Sequence, residues 1–486
     1  MSADESDALH LQQRKYIEER LHTAYLRLAA SRRQAAPPHK APASGRAPSS
    51  TKHCIPRQWC LRIVVSAIHA ASSVSRGERA QRAFAVAATF VGDAVKPEHR
   101  HKADAAFAMF VKVLREQQGN GTLYNRLMNA SPNRSMTLYY HVSDYSITQS
   151  SYLPVMEHCT SASATGIPVP DFTFSRYSAL KSKSTPLGRS DWPSLLNSLG
   201  RQHLDLGWEN RTRAITWRGN AMNEPAYKTD LPLMHRFRRS RMLQLIERQA
   251  SRLAALGVQV DVGHVKGKQG FNFVGMMQRF NRQPVDIHTQ CRSRYQLHVD
   301  GFSYAAALKY RLACGAVILR VTGGNSVAHK LEVPIEWFEA VQPLRPGSEY
   351  VAIAPDLSNL VDHIERLELN PADARRMSSA AAAYASRVLA PAAISNYLTI
   401  FLTAYAALYA EWDAVCRDAR HVLPEGLNPE PATCAAAAAA MATQDPGVAA
   451  KNHTRKGRTA VPAGAAPRPS GGRKLPRIVC KVIELA

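Results

Sequence analysis

The chain has 486 residues, 45% of them hydrophobic, and a formal net charge of +24. That length suits two ordinary domains with tails, and eight cysteines without a single Cys-x-x-Cys argue against a structural zinc module. Residues 1–60 carry +5 and 426–486 carry +6, so +13 belongs to 61–425. The excess is therefore more than a matter of basic ends, and it suits anionic partners such as nucleotide sugars, nucleic acid or acidic membrane faces.

In chain order, Leu9, Leu11, Tyr16, Ile17, Leu21, Tyr25 and Leu28 recur with a helical period, giving an amphipathic helix within 1–33. Residues 34–52, rich in Ala, Pro, Ser and basic side chains, read as a flexible linker. Helices are expected at about 60–75, 78–95 and 102–118. The apolar run 59–72 is interrupted by Arg62 and His69 and is too short to cross a membrane. The first residues are acidic and polar, unlike a signal peptide, and the last four are not a retention signal. Met136 to Val142 has the aromatic and β-branched content of a strand, which delivers Ser143, Asp144 and Tyr145 at its carboxyl end. Residues 151–205 read as irregular. A helix is expected over 236–256, with Met242, Leu243, Leu245 and Leu253 on its apolar side. Strand and helix signals then alternate, and 391–415 form a long apolar helix. Residues 425–480, with six consecutive alanines from Ala435 to Ala440, read as disordered. Cys314 is expected as a buried thiol.

The densest signal is at 295–319. An apolar run from Tyr295 to Val299 reaches a turn at Asp300-Gly301, an Ala/Leu segment stops at Gly315, and Ala316 to Leu319 reads as a second buried strand. Strand, turn, helix and strand make a βαβ unit. In an open parallel sheet such a turn lies outside the carboxyl end of the strand, where nucleotides bind. The first helical turn suits a diphosphate. A buried βαβ unit without a ligand produces the same pattern.

Segment 295–315 resembles the signature of glycosyltransferase family 90, the capsule-associated and Rumi-type protein O-glucosyltransferases. That signature is an aromatic-rich strand, a Gly turn, a small-residue helix with a basic residue, and Leu-x-Cys-Gly. Trp208-Glu209-Asn210, followed by Trp217-Arg218-Gly219-Asn220, resembles a second block of the family. Glu336-Trp337-Phe338-Glu339, Leu344-Arg345-Pro346, Tyr350-Val351 and Asp356-Leu357-Ser358 resemble later ones. Upstream, Val142 to Tyr145 and Pro170-Asp171-Phe172-Thr173-Phe174 fall in the family's order.

The resemblance implies an α/β fold with two Rossmann-like lobes of the GT-B type, a helical N-terminal extension and a disordered basic C-terminal tail. Residues 53–215 would form the acceptor-side lobe and 216–400 the nucleotide-sugar lobe. Residues 401–424 would cross back as a terminal helix, ahead of the 425–486 tail. It further implies a UDP-sugar donor, glucose or xylose first, a hydroxyl acceptor on protein or glycan, no metal, and the endoplasmic reticulum or Golgi lumen. No Asp-x-Asp triplet of the metal-dependent transferases is present. Asp144 takes the role of general base, which must accept the proton of the attacking hydroxyl, with Asp171 as rival. Arg218, Gly219, Gly301, Phe302, Ser303 and Lys309 would hold the nucleotide sugar, Arg218 by forked bonds to phosphate. Thr185, Gly188, Arg189, Glu336 and Glu339 would meet sugar or acceptor, although the two glutamates equally suit a solvated helix face. Two positions depart from the family. Ala307 stands where an Arg is usual, unless Lys309, Arg311 or Arg320 takes its place, and Glu349 stands where a His is usual. Two other readings stay open: a diverged member that only binds a partner, and a basic nucleic-acid-binding protein. Against the latter, no finger, KH or RNP motif occurs.

Overall fold

A computed structural model of the chain describes residues 3–34, 60–70, 81–91, 97–116, 121–130, 135–142, 155–161, 166–175, 191–221, 238–265, 278–301, 304–322, 334–418 and 479–484. The N-terminal helix α1 (Ala3–Gln34) buries Leu9, Gln13, Ile17 and Leu21 and leaves Leu11 exposed. Next come two long strands, β1 (Cys60–Ala70) and β2 (Gln81–Val91), paired antiparallel with Cys60 opposite Val91. This corrects the expectation of two helices. Their alanine content suggests helix, but Leu61, Ile63, Val65 and Ala67, and Phe84, Val86 and Ala88, are buried at every second residue. That is the strand period, which puts one side of the ribbon on a core.

Helices α2 (Pro97–Glu116) and α3 (Thr122–Ala130) precede β3 (Ser135–His141). Short strands β4 (Val155–Glu157), β5 (Cys159–Thr160) and β6 (Ile167–Pro168) lead to α4 (Trp192–Leu206). The last is another departure from the irregular segment expected. Asp191 caps it by accepting from the Ser194 N–H at 2.9 Å, and Trp192, Leu195 and Leu199 form its buried stripe. The second half runs β7 (Thr212–Gly219), α5 (Arg238–Arg248), α6 (Ala250–Ala255), β8 (Gln259–His264), α7 (Ile287–Gln290), β9 (Ser293–His298), α8 (Leu308–Cys314) and β10 (Val317–Val321). It continues through β11 (Ile335–Glu336), α9 (Trp337–Val341), β12 (Val351–Ile353), α10 (Leu360–Leu369), α11 (Pro371–Val388) and α12 (Pro391–Asp418). Strand β13 (Val479–Glu484) pairs with β2, Val479 opposite Ala88, so the tail expected to be disordered contributes an edge strand. Its Val479, Val482 and Ile483 carry the β-branched content that favours pairing.

Among the described residues the first sheet has six strands in the order β13-β2-β1-β3-β4-β6, and β3, β4 and β6 run parallel. The second has five strands, all parallel, in the order β12-β10-β9-β7-β8. Its first strand lies between its second and third, so the winding direction reverses between β7 and β9. In β10, Val317, Leu319 and Val321 enter a core shared with α5, α6 and α10, while Ile318 enters one shared with α8, α9 and the first sheet. Burial on both faces explains why Val317, Ile318 and Leu319 read as a continuous apolar run.

The long helix α12 lies over the first sheet. The Tyr397 hydroxyl donates to Pro168 O at 2.5 Å, the Tyr405 hydroxyl to Thr137 O at 2.9 Å, and Arg126 to Thr403 O at 3.0 Å. Its stretch Pro391–Tyr409 is long and apolar enough to cross a membrane by composition, and half of it is buried against the protein's own helices and sheet.

Cys291 and Cys314 form a disulfide with Cα atoms 5.1 Å apart, which corrects the buried thiol expected at Cys314. The ascent through β9 and return through α8 bring the carboxyl ends of α7 and α8 together. Arg211 bonds both cysteine carbonyls, Cys314 O at 2.8 Å. With 23 residues of separation, closing this loop removes unfolded-state entropy worth about 3 kcal/mol. A Cys291→Ala/Cys314→Ala variant is expected to lose about that much in urea unfolding, and an unchanged midpoint would remove the bond from the stability account.

Candidate active site

The carboxyl ends of β7 and β9 lie side by side at the reversal of winding, where open α/β sheets bind ligands. The carboxyl end of β7 carries Arg218 and Gly219, followed by Asn220, and the chain leaving β9 carries Val299, Asp300 and Gly301. Arg239, in the first turn of α5, joins the two. Its guanidinium donates to Asn220 O at 3.1 Å, Val299 O at 3.2 Å and Asp300 O at 3.3 Å. A Cβ at Gly301 would come within 2.8 Å of its Nη2, so the absence of a side chain there makes room for the guanidinium. Arg218 donates to Asp261 O at 2.6 Å and to Asp261 Oδ1 at 2.5 Å, which ties the end of β7 to β8.

A cleft of about 400 Å³ opens at this point. Its wall includes Arg218, Gly219, Arg239, Gly301, Ala307 and Arg311 on the side of the second sheet. Lys102 of α2 and Phe172, which follows β6, close it from the other side. Among the described residues its lining holds four cationic side chains, Lys102, Arg218, Arg239 and Arg311, and no carboxylate.

The acids lie underneath. Asp171 is 1% exposed, and its carboxylate accepts from Lys309 at 2.9 and 3.1 Å, from the Thr173 N–H at 2.8 Å and from the Tyr304 hydroxyl at 3.1 Å. Burial pushes its pKa upward, but Lys309, His158 and the hydrogen bonds outweigh that and hold it below the ordinary value. Lys309 is fully buried, with its ammonium 4.0 Å from the Phe174 ring centre. This corrects its assignment to the nucleotide sugar: its charge is committed to Asp171 and it does not line the cleft. Asp171 is equally committed, which disqualifies it as a proton acceptor for a substrate.

Glu336 is also buried and Glu339 is half-buried, where the sequence left open a solvated helix face. Glu339 pairs with Arg320, so Arg320 is not available to the cleft either. Burial lifts the Glu336 carboxyl well above its usual range, against the pull of Lys309, and so favours its neutral form. Beside them, His298 is fully buried. Its Nδ1 lies 2.5 Å from Arg311 Nη1 and its Nε2 3.3 Å from Asp300 Oδ1. Burial lowers the His298 pKa to about 4, which leaves a neutral ring whose Nδ1 accepts from Arg311. Glu349 bonds the Arg345 N–H and guanidinium, both at 2.8 Å, and serves a local turn.

The structure thus gathers Arg218, Gly219 and Gly301 around one cleft and places Lys309, Glu336 and Glu339 beneath it. Asp144, Thr185, Gly188, Arg189, Phe302 and Ser303 lie outside the described residues. Sequence reasoning missed Arg239 and Lys102. Arg239 sits in the basic run from His235 to Arg241, where nothing local distinguishes it from its neighbours.

The raised pKa of Glu336 has a sign that can be checked. The contribution of its neutral form to stability is complete below the unfolded value of 4.5 and is lost as pH rises through the higher folded value. Glu336→Gln cannot ionise. Its urea midpoint should therefore gain on the wild type progressively as pH rises above 4.5. Parallel profiles would mean that Glu336 titrates normally in the fold.

The family model described as Glycosyl transferase family 90 matches residues 139–445. Among curated proteins no match is found. Among solved structures, Anabaena HepE in complex with UDP and glucose is similar at 14% identity over 43% of this chain and 50% of that one, with a TM-score of 0.26. Its complex with UDP-glucose is similar at 14% identity over 44% and 52%, with a TM-score of 0.25. This chain spans about half the length of those structures, and scores of that size carry no structural argument. The family match covers well over half of the sequence and includes both strands that frame the cleft: the chain belongs to glycosyl transferase family 90.

Proposed function

We propose that the cleft holds the diphosphate of a UDP-sugar and that the protein transfers the sugar to a hydroxyl on protein or glycan. The observation that carries this reading is the lining at the reversal of winding between β7 and β9, which among the described residues holds four cationic side chains and no carboxylate. A departing diphosphate develops negative charge, and cations fixed in advance stabilise it without reorganisation. In this reading the side chains replace a divalent metal. The first sheet serves as the acceptor side and the second as the donor side of a GT-B arrangement.

Asp144 is the proposed general base. Strands β3, β4 and β6 are parallel, so their carboxyl ends share an edge, and the chain leaving that edge after β6 supplies Phe172 to the cleft. Val142 follows β3 at that edge, and Asp144 comes two residues after it in the sequence. An aromatic path leads the same way: Tyr140 of β3 lies 5.4 Å from His158, which lies 5.5 Å from Phe172 and 5.9 Å from Tyr304. The disulfide supports an oxidising compartment, as the endoplasmic reticulum or Golgi lumen would provide.

Purified protein incubated with a panel of UDP-sugars, UDP-glucose and UDP-xylose first, should release UDP from one of them in the presence of a hydroxyl acceptor. Asp144→Asn should depress that release about 10²–10⁴-fold while leaving UDP affinity nearly unchanged. Arg218→Ala should instead weaken UDP binding by about 1.5–3 kcal/mol. If no UDP-sugar is cleaved but UDP still binds, a diverged binding protein becomes the better reading, in keeping with Ala307 and the commitment of Lys309. Failure to bind UDP at low salt would overturn both.

A further inference from the structure

The connection between α4 and β7 carries a motif that the cleft does not use. Asn210-Arg211-Thr212 is an Asn-x-Thr triplet without proline, the acceptor pattern for N-linked glycans. Four other such triplets begin at Asn120, Asn129, Asn133 and Asn452, and none of the four has all three of its positions among the described residues. Over 207–211 the chain turns, and it is anchored on both sides. Gly207 leaves α4 at φ 61°, Trp208 is 7% exposed and Arg211 is 3% exposed. With these flanks pinned, the turn presents Glu209 and Asn210 to solvent, and Thr212 is exposed at the start of β7. Asn210 Nδ2 donates to Leu206 O at 3.0 Å. The amide nitrogen has two hydrogens, so this bond survives when the other is replaced by a sugar.

The partners that fix the triplet are made later. Arg211 donates to Cys291 O and, at 2.8 Å, to Cys314 O, carbonyls 80 and 103 residues further along the chain. The Thr212 N–H donates to Arg292 O at 2.9 Å. The triplet therefore emerges as open chain, which a glycan-transferring enzyme can thread before β7 is paired. The Cys291–Cys314 bond, whose two carbonyls Arg211 holds, forms in an oxidising compartment, and the secretory lumen is one. Thr212 and Arg218 lie toward opposite ends of β7, about 20 Å apart at about 3.3 Å per residue. A glycan at Asn210 therefore leaves the cleft open.

We propose that Asn210 is a modification site that carries an N-linked glycan. In the transfer, Nδ2 attacks the anomeric carbon of a lipid diphosphate-linked oligosaccharide. The N–C bond forms, the anomeric C–O bond to the diphosphate breaks, one Nδ2 proton is given up, and the lipid diphosphate leaves. The proposal is independent of what the cleft binds. It shares with the UDP-sugar reading only the oxidising compartment that the disulfide supports.

The full-length chain, directed into the secretory lumen of a eukaryotic host, tests the site by peptide mapping with and without an N-glycosidase. The peptide spanning Asn210 should carry a glycan, and glycosidase treatment should leave Asp at that position. Asn210→Gln and Thr212→Ala should each remove one glycan from the intact mass. Thr212→Ser should keep it, because a serine hydroxyl completes the triplet equally. Melting curves of treated and untreated protein separate loss of the glycan from loss of the fold, and UDP titration should give both forms the same affinity. An unmodified Asn210 in folded protein recovered from the lumen sinks the proposal, whether or not UDP binds. A glycan at Asn210 whose enzymatic removal changes UDP affinity severalfold would overturn its placement away from the cleft.

Discussion

The buried ion pair between Asp171 and Lys309 is the interaction on which the geometry of the cleft depends. Asp171 belongs to the chain leaving the first sheet and Lys309 to the βαβ unit of the second, and neither meets solvent. Breaking such a pair from one side strands a charge in low dielectric, at a cost of about 3–5 kcal/mol. The pair is supported on every side: Thr173 and Tyr304 satisfy the carboxylate, and the Phe174 ring faces the ammonium. Phe172 and Tyr304, the immediate neighbours of this knot, are both cleft residues. The two sides of the cleft are thus set against each other by a contact that is too expensive to break casually.

Above this knot the charge is segregated by depth. Cations face the cavity, whereas Asp171, Glu336, Glu339 and Asp300 lie in the layer below. Each buried acid is handled in its own way. Asp171 is paired and held below its ordinary pKa, Glu339 is paired with Arg320, Glu336 is pushed toward its neutral form by desolvation, and Asp300 faces His298. The result is a cavity whose described lining carries cationic side chains, Arg218 among them bonded to Asp261, over a layer of acids whose charges are largely paired. That arrangement directs the attraction for an anion into the cleft.

The parts of this structure legible in the sequence were those encoded locally. The β9–α8–β10 unit announced itself through an apolar run, a Gly turn and a stop at Gly315, whose left-handed conformation at φ 57° is one that glycine adopts without strain. Arg218, Gly219 and Gly301 were reached through the resemblance of their segments to the family's blocks. What escaped was set by partners distant in sequence. Lys309 reads as a cation on a signature helix, and only the fold reveals a carboxylate 138 residues away. The Cys291–Cys314 bond depends on how a strand and a helix return on each other, which spacing alone does not dictate. Strands β1 and β2 were hidden because alanine favours helix in isolation, while a neighbouring strand and a core on one side favour the extended form.

The placement of α12 has a consequence for the order in which the protein can be completed. Its side chains share one apolar core with β1, β2, β3 and α1, all made long before it. Tyr397 and Tyr405 reach carbonyls at positions 168 and 137, more than two hundred residues back along the chain. The first sheet therefore cannot finish its packing as it leaves the ribosome. It must wait, partly uncovered, until the whole second sheet has been synthesised and α12 has emerged. Such long-range closure slows folding and leaves apolar surface open to capture in the interval. For this chain the vulnerable stage of biogenesis falls between the birth of β3 and the arrival of Tyr405, and a chaperone would find its substrate there.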